Sequence, residues 1–121
     1  MGSILIVDDS SIMRSAIREI LETAGYDVLG EAKSGDEAID IVSKNKPDLV
    51  TLDITMRGKD GITTLKEIKQ IDPKIKVIMV SAMGEEKYIK QSIELGANDF
   101  VIKPFEDERL LNAIKVALQS D

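Results

Sequence analysis

ILIVDDSS, residues 4–11, joins four consecutive apolar residues to an acid pair and then to two serines ahead of a longer amphipathic segment. An apolar run without polar alternation is the pattern of a strand covered on both faces. Asp and Ser placed directly before a helical pattern are good N-caps. The stretch therefore reads strand, loop, helix, with two carboxylates, Asp8 and Asp9, at the carboxyl end of the strand.

The same grammar recurs along the chain. Strand-length segments at roughly 27–32, 48–52, 76–80 and 99–102 alternate with segments whose apolar residues fall at helical spacing. The first helix places Met13, Ile17, Ile20, Leu21 and Ala24 on one face and stops at Gly25. A second runs from about Asp36 to Lys46, before Pro47. A third follows Gly61, a fourth spans about Glu85 to Leu95, and a fifth starts near Asp107 and carries Leu110, Leu111, Ile114 and Leu118. The 27–32 segment contains Asp27, Gly30 and Glu31, which suits an edge strand. Five βα units with short right-handed crossovers predict a doubly wound α/β fold with a parallel sheet. At 121 residues, with 43% hydrophobic and 31% charged residues, the expectation is one domain over 1–121.

Composition removes several kinds of chemistry. With no Cys and no His, disulfides, thiol nucleophiles, the usual zinc sites and imidazole bases are absent, leaving carboxylates, hydroxyls and lysine. A net charge of −6 and the aromatic set Tyr26, Tyr88, Phe100 and Phe105 offer neither a basic stripe nor a stacking platform, so direct nucleic-acid binding is not expected. No apolar stretch is long enough to span a bilayer, and the expected location is the cytoplasm.

Open parallel sheets bind ligands in the crevice outside the carboxyl ends of their strands. The residues that follow the apolar runs are Asp8 and Asp9, then Asp53, Ser81 and Lys103. Taken singly, each has a bland reading as a helix cap or loop residue; a cap, however, has no need to sit where a crevice is expected. If strands one and three are neighbours, the three carboxylates meet and repel, and a divalent cation relieves them. Magnesium suits hard oxygens with retained waters, and Mn2+ is compatible with the same donors. Asp9 and Asp53 are placed to ligate directly, Asp8 through water, and the Thr55 carbonyl is a further donor. Asp53 is also a candidate nucleophile toward phosphorus, with the Lys103 ammonium and the Ser81 hydroxyl sharing the charge of the transferring oxygens.

The acid pair in VDDS, Asp53 in LDITM with Asp60-Gly61 downstream, Ser81-Ala82, and Lys103-Pro104-Phe105 together resemble the receiver domain of two-component response regulators, over essentially the full chain. DITM, VSAMG and DFVIKPF look most like stand-alone chemotaxis regulators of the CheY type. The resemblance implies a flavodoxin-like (βα)5 receiver with strand order 2-1-3-4-5. It further implies a phosphorylation-activated switch in which Asp53 accepts phosphate from a phosphohistidine on a sensor kinase, with Mg2+ bound by Asp8, Asp9, Asp53 and the Thr55 carbonyl. Such a protein catalyses only its own phosphoryl transfer and autodephosphorylation. Downstream it implies an output protein such as a flagellar switch component, and a phosphatase.

On that reading Ser81 turns inward and Phe100, in the place of the family's switch aromatic, rotates from exposed to buried. The changed surface of helix four, strand five and helix five would then carry Tyr88, Lys87, Lys90, Gln91, Phe100 and Lys103. One departure stands out: Arg57-Gly58 follows Met56 where the family commonly has Pro, so the loop after Asp53 is expected to have a wider conformational range. Two alternatives remain, an excised receiver of a larger transcriptional regulator and a magnesium-dependent phosphatase with an aspartyl nucleophile. Against the second, the spacing of a second Asp two residues after a strand-one nucleophile is missing; against the first, no linker follows the fifth helix.

Overall fold

In a computed structural model, which describes residues 2–120, the elements alternate as β1 (Ser3–Val7), α1 (Ser11–Thr23), β2 (Asp27–Ala32), α2 (Gly35–Lys44), β3 (Leu49–Leu52), α3 (Gly61–Ile71), β4 (Lys76–Ser81), α4 (Glu86–Glu94), β5 (Asp99–Ile102) and α5 (Asp107–Gln119). Met1 and Asp121, within the expected 1–121 span, lie outside the described residues. All strand pairs are parallel and the sheet order is β2-β1-β3-β4-β5, as the resemblance implied. β1 therefore lies inside the sheet, with β2 and β3 on either side, and the winding reverses there.

Alternation along the strands divides the core in two. Leu5, Val7, Val50, Leu52, Val77, Met79 and Phe100 pack beneath Ala38 and Val42 of α2 and Leu65 and Ile68 of α3. Ile4, Ile6, Leu49, Ile78, Val80 and Val101 pack against Ile17 and Leu21 of α1 and Leu110, Ile114 and Ala117 of α5. Both faces of β1, β3 and β4 are thus covered, which is why their central sequences lack polar alternation, Thr51 being the one polar residue inside β3. β2 occupies an edge, as its polar residues suggested, and its pairing with β1 shifts register between Ile4 and Leu5.

The helix ends follow side-chain caps. The hydroxyl of Ser10 accepts from the Met13 N–H, that of Ser34 from the Glu37 N–H, and the Asp60 carboxylate from the Thr63 N–H. The Ser34 cap starts α2 at Gly35, one residue before the expected Asp36. The same helix ends at Lys44 rather than Lys46, because Asn45 has already turned to extended backbone before Pro47. α4 differs from the other helices of its face: Glu85 caps it without a side-chain hydrogen bond, and Ser92 is its one fully buried residue.

Candidate functional site

The strand ends bring together residues scattered over the chain. The last rungs of the sheet set the acidic side chains: the Asp8 N–H donates to Ala32 O at 3.1 Å and the Asp53 N–H to Val7 O at 3.0 Å. Asp8 is 1% and Asp53 6% exposed, while Asp9 opens to solvent. One carboxylate oxygen from each of the three lies within 4.8 Å of the others.

From the end of β5 the Lys103 ammonium donates to Asp8 Oδ2 at 2.7 Å and to Asp53 Oδ2 at 3.4 Å. The Lys103–Pro104 peptide is cis. Ser81, at the end of β4, is fully buried, and its hydroxyl accepts from the Met83 N–H at 3.1 Å. The expected set Asp8, Asp9, Asp53, Ser81 and Lys103 is therefore assembled at one end of the sheet. Thr55 is exposed beside it, and its N–H reaches toward Asp53 Oδ1 at 3.4 Å.

Burial pushes the Asp53 carboxyl above its ordinary range; the Lys103 charge opposes that shift, the Asp8 charge adds to it, and hydrogen bonds from Lys103 and Ser81 lower it. One ammonium faces three carboxylates, so the centre carries excess negative charge. A closely spaced set of hard oxygens with uncompensated charge fits a divalent cation such as magnesium.

The loop after Asp53 is shaped by close approach. A methyl group on Gly61 would overlap the Asp53 carbonyl oxygen and lie 2.6 Å from Ile54 Cα, so only glycine lets α3 begin directly beneath the acidic residue. Gly58, in the stretch that replaces the family's proline, has φ +74 and open space around it. Arg57 beside it is exposed.

Two residues expected on the output side are turned inward in this structure. Phe100 is already buried, at 6% exposure, together with the inward Ser81, because its position on β5 points into the core beneath α4 beside Met79 and Ala97. The Lys103 ammonium is paired with Asp8 and Asp53. Lys87, Lys90 and Gln91 do lie exposed on α4, and the Lys87 ammonium sits 5.0 Å from the centre of the half-buried Tyr88 ring.

Sequence reasoning missed Arg14 and Glu31. Arg14 Nη1 donates to the Asp8 carbonyl at 2.6 Å, while its Nε donates to Glu31 Oε1 on β2 at 3.1 Å. The signal available was a cation little more than one helical turn beyond the acid pair, on a helix otherwise read only for its apolar face.

Comparison with known proteins agrees with this geometry. Residues 4–115 match the response regulator receiver domain. The Bacillus subtilis (strain 168) protein CcdB is 51% identical over 94% of this chain and 95% of its own length. The chemotaxis protein CheY of the same organism is 50% identical over 95% of this chain and 96% of its own length. A chain in the crystal structure of the CheX-CheY-BeF3-Mg2+ complex from Borrelia burgdorferi superimposes with a TM-score of 0.94 at 34% identity, covering 98% of this chain and 90% of that one. With a family match over 4–115 and relatives of this identity and coverage, the chain belongs to the response regulator receiver domain family and is a phosphorylation-activated signalling switch of the two-component type.

Proposed function

We propose that Asp53 is the phosphoacceptor of this switch, that a phosphohistidine on a sensor kinase is its donor, and that the output belongs to chemotaxis. The observation that carries the assignment is the convergence of Asp8, Asp53 and Lys103 within hydrogen-bonding reach at the carboxyl ends of β1, β3 and β5. A buried carboxylate at the mouth of a crevice, with an ammonium beside it, is arranged for in-line attack on phosphorus.

Asp8, Asp9, Asp53 and the Thr55 carbonyl are the residues that would hold Mg2+ or Mn2+. Bound there, the cation neutralises charge on the transferring oxygens. An Asp53 oxygen attacks the phosphorus, the P–N bond of the phosphohistidine breaks, and the electron pair returns to the donor imidazole. Lys103 exchanges a carboxylate partner for a phosphoryl oxygen, and the Ser81 hydroxyl donates to another. Hydrolysis of the acyl phosphate returns Asp53 to its starting form, so the chain turns over only its own phosphoryl group. The state so created is read on α4, β5 and α5, where Lys87, Lys90 and Gln91 are exposed and Ile102 is 46% exposed. A downstream protein, a flagellar switch component in a chemotaxis setting, would bind that surface.

The test is intact-protein mass after incubation with acetyl phosphate, with and without Mg2+. The wild-type chain should gain one phosphoryl group only when Mg2+ is present, and Asp53→Asn should gain none. An equal gain in Asp53→Asn would remove Asp53 from the role.

A further inference from the structure

Among the described residues Asp9 enters no hydrogen bond or ion pair, although it stands at the mouth of the carboxylate cluster. What fixes it lies one atom group away. The Asp8 carbonyl belongs to the peptide unit that joins Asp8 to Asp9, and that unit is planar. Holding its oxygen therefore fixes the plane from which the Asp9 backbone departs.

The holder is Arg14, with Nη1 at 2.6 Å from that oxygen. Its side chain is 16% exposed and is anchored at its other edge by Glu31 of β2, whose second oxygen accepts from Arg18 Nε at 2.7 Å. Arg18 in turn donates to Glu22 at 3.2 Å. Glu31 is kept ionised below the ordinary carboxylate range, first by the Arg18 hydrogen bond. The fork of Arg14 thus spans from an edge strand to the loop bearing the acid pair, and α1 supplies it one turn after the Ser10 cap.

We infer that Arg14, oriented by Glu31, is a positioning residue for the metal centre: it clamps the Asp8–Asp9 peptide so that the Asp9 carboxylate is presented to the divalent cation. The inference rests on the reading of Asp8, Asp9 and Asp53 as metal ligands. The sign of the effect distinguishes it from plain electrostatics. A cation behind the centre opposes Mg2+ by Coulomb repulsion, so removing Arg14 for charge alone should tighten metal binding. Loss of a clamp should weaken it, as loss of an outer partner of a metal ligand does.

Calorimetric titration of Mg2+ into the metal-free chain, with thermal melting in chelator alongside, separates the cases. Arg14→Lys keeps the charge but loses the planar fork that reaches the carbonyl and Glu31 together. The Mg2+ dissociation constant is expected to rise about tenfold in Arg14→Ala and roughly threefold or more in Arg14→Lys. The rate of acetyl phosphate labelling at saturating Mg2+ should stay within about twofold of wild type, because the reacting groups are intact. Unchanged or tighter Mg2+ binding in both variants overturns the inference, and a drop in melting temperature without a change in Mg2+ affinity reduces Arg14 to a structural brace. If Arg14→Ala does not fold, Arg14→Lys alone decides. Absence of Mg2+ binding by the wild-type chain defeats the metal-ligand reading itself, and the clamp with it; binding by wild type with both variants unaffected defeats only the clamp.

Discussion

At Asp53 the fold imposes a cost in stability. Its carboxyl is raised mainly by burial, so the folded chain holds that proton more tightly than the unfolded chain does. Above the raised value both states are ionised and the full penalty is present; below the ordinary carboxylate range both are protonated and it vanishes. In metal-free buffer Asp53→Asn should therefore melt at a higher temperature than wild type at pH 7, with the advantage shrinking as the pH is lowered through that window. Melting at or below the wild-type temperature at pH 7 would contradict the assignment of burial as the dominant influence. That Asp53 and its neighbours come together was legible, because each follows an apolar run at a strand end. Arg14 was not, because a surface-helix arginine near an acid pair does not reveal which oxygen it will hold until β2 supplies Glu31.

Elements were readable to the degree that their burial is two-sided. β1, β3 and β4 appear as largely apolar runs without polar alternation, and their helices carry a clear inward stripe. The same two-sidedness hides direction: a run that is apolar on both faces does not say which residue points where, and the buried position of Phe100 in this structure was not legible for that reason. With Phe100 in the core, truncation leaves a cavity. Phe100→Ala should cost about 3 kcal/mol in denaturant unfolding. The loosening should appear first in α4, which covers that site with one fully buried residue and no side-chain N-cap. Hydrogen exchange should then accelerate in α4 before α3, whose Gly61, Thr64, Leu65 and Ile68 are buried. Uniform acceleration across both helices would argue against α4 as the loosely held element.

Across the whole molecule, stability and metal binding are linked through the unequal charge of the centre. At about 100 times its dissociation constant, Mg2+ should stabilise the fold by about 2.7 kcal/mol. Asp9→Ala should abolish that gain while leaving stability in chelator at or above wild type, since Asp9 makes no hydrogen bond of its own and adds only repulsion. Melting curves with Mg2+ and with chelator check both halves, and a persistent Mg2+-dependent gain in Asp9→Ala would place the cation elsewhere. The sheet order itself was not derivable from periodicity, which counts strands without pairing them; it came from resemblance to a family and agrees with the structure. The pairing of Lys103 with Asp8 joins residues 95 positions apart in the chain. During synthesis the counter-charge emerges long after the acid pair, so a growing chain carries the three carboxylates bare until the segment just after β5 is added. A half-made copy therefore holds the acids of the centre without the ammonium that balances them, and the centre exists only once the sheet is closed on its β5 side.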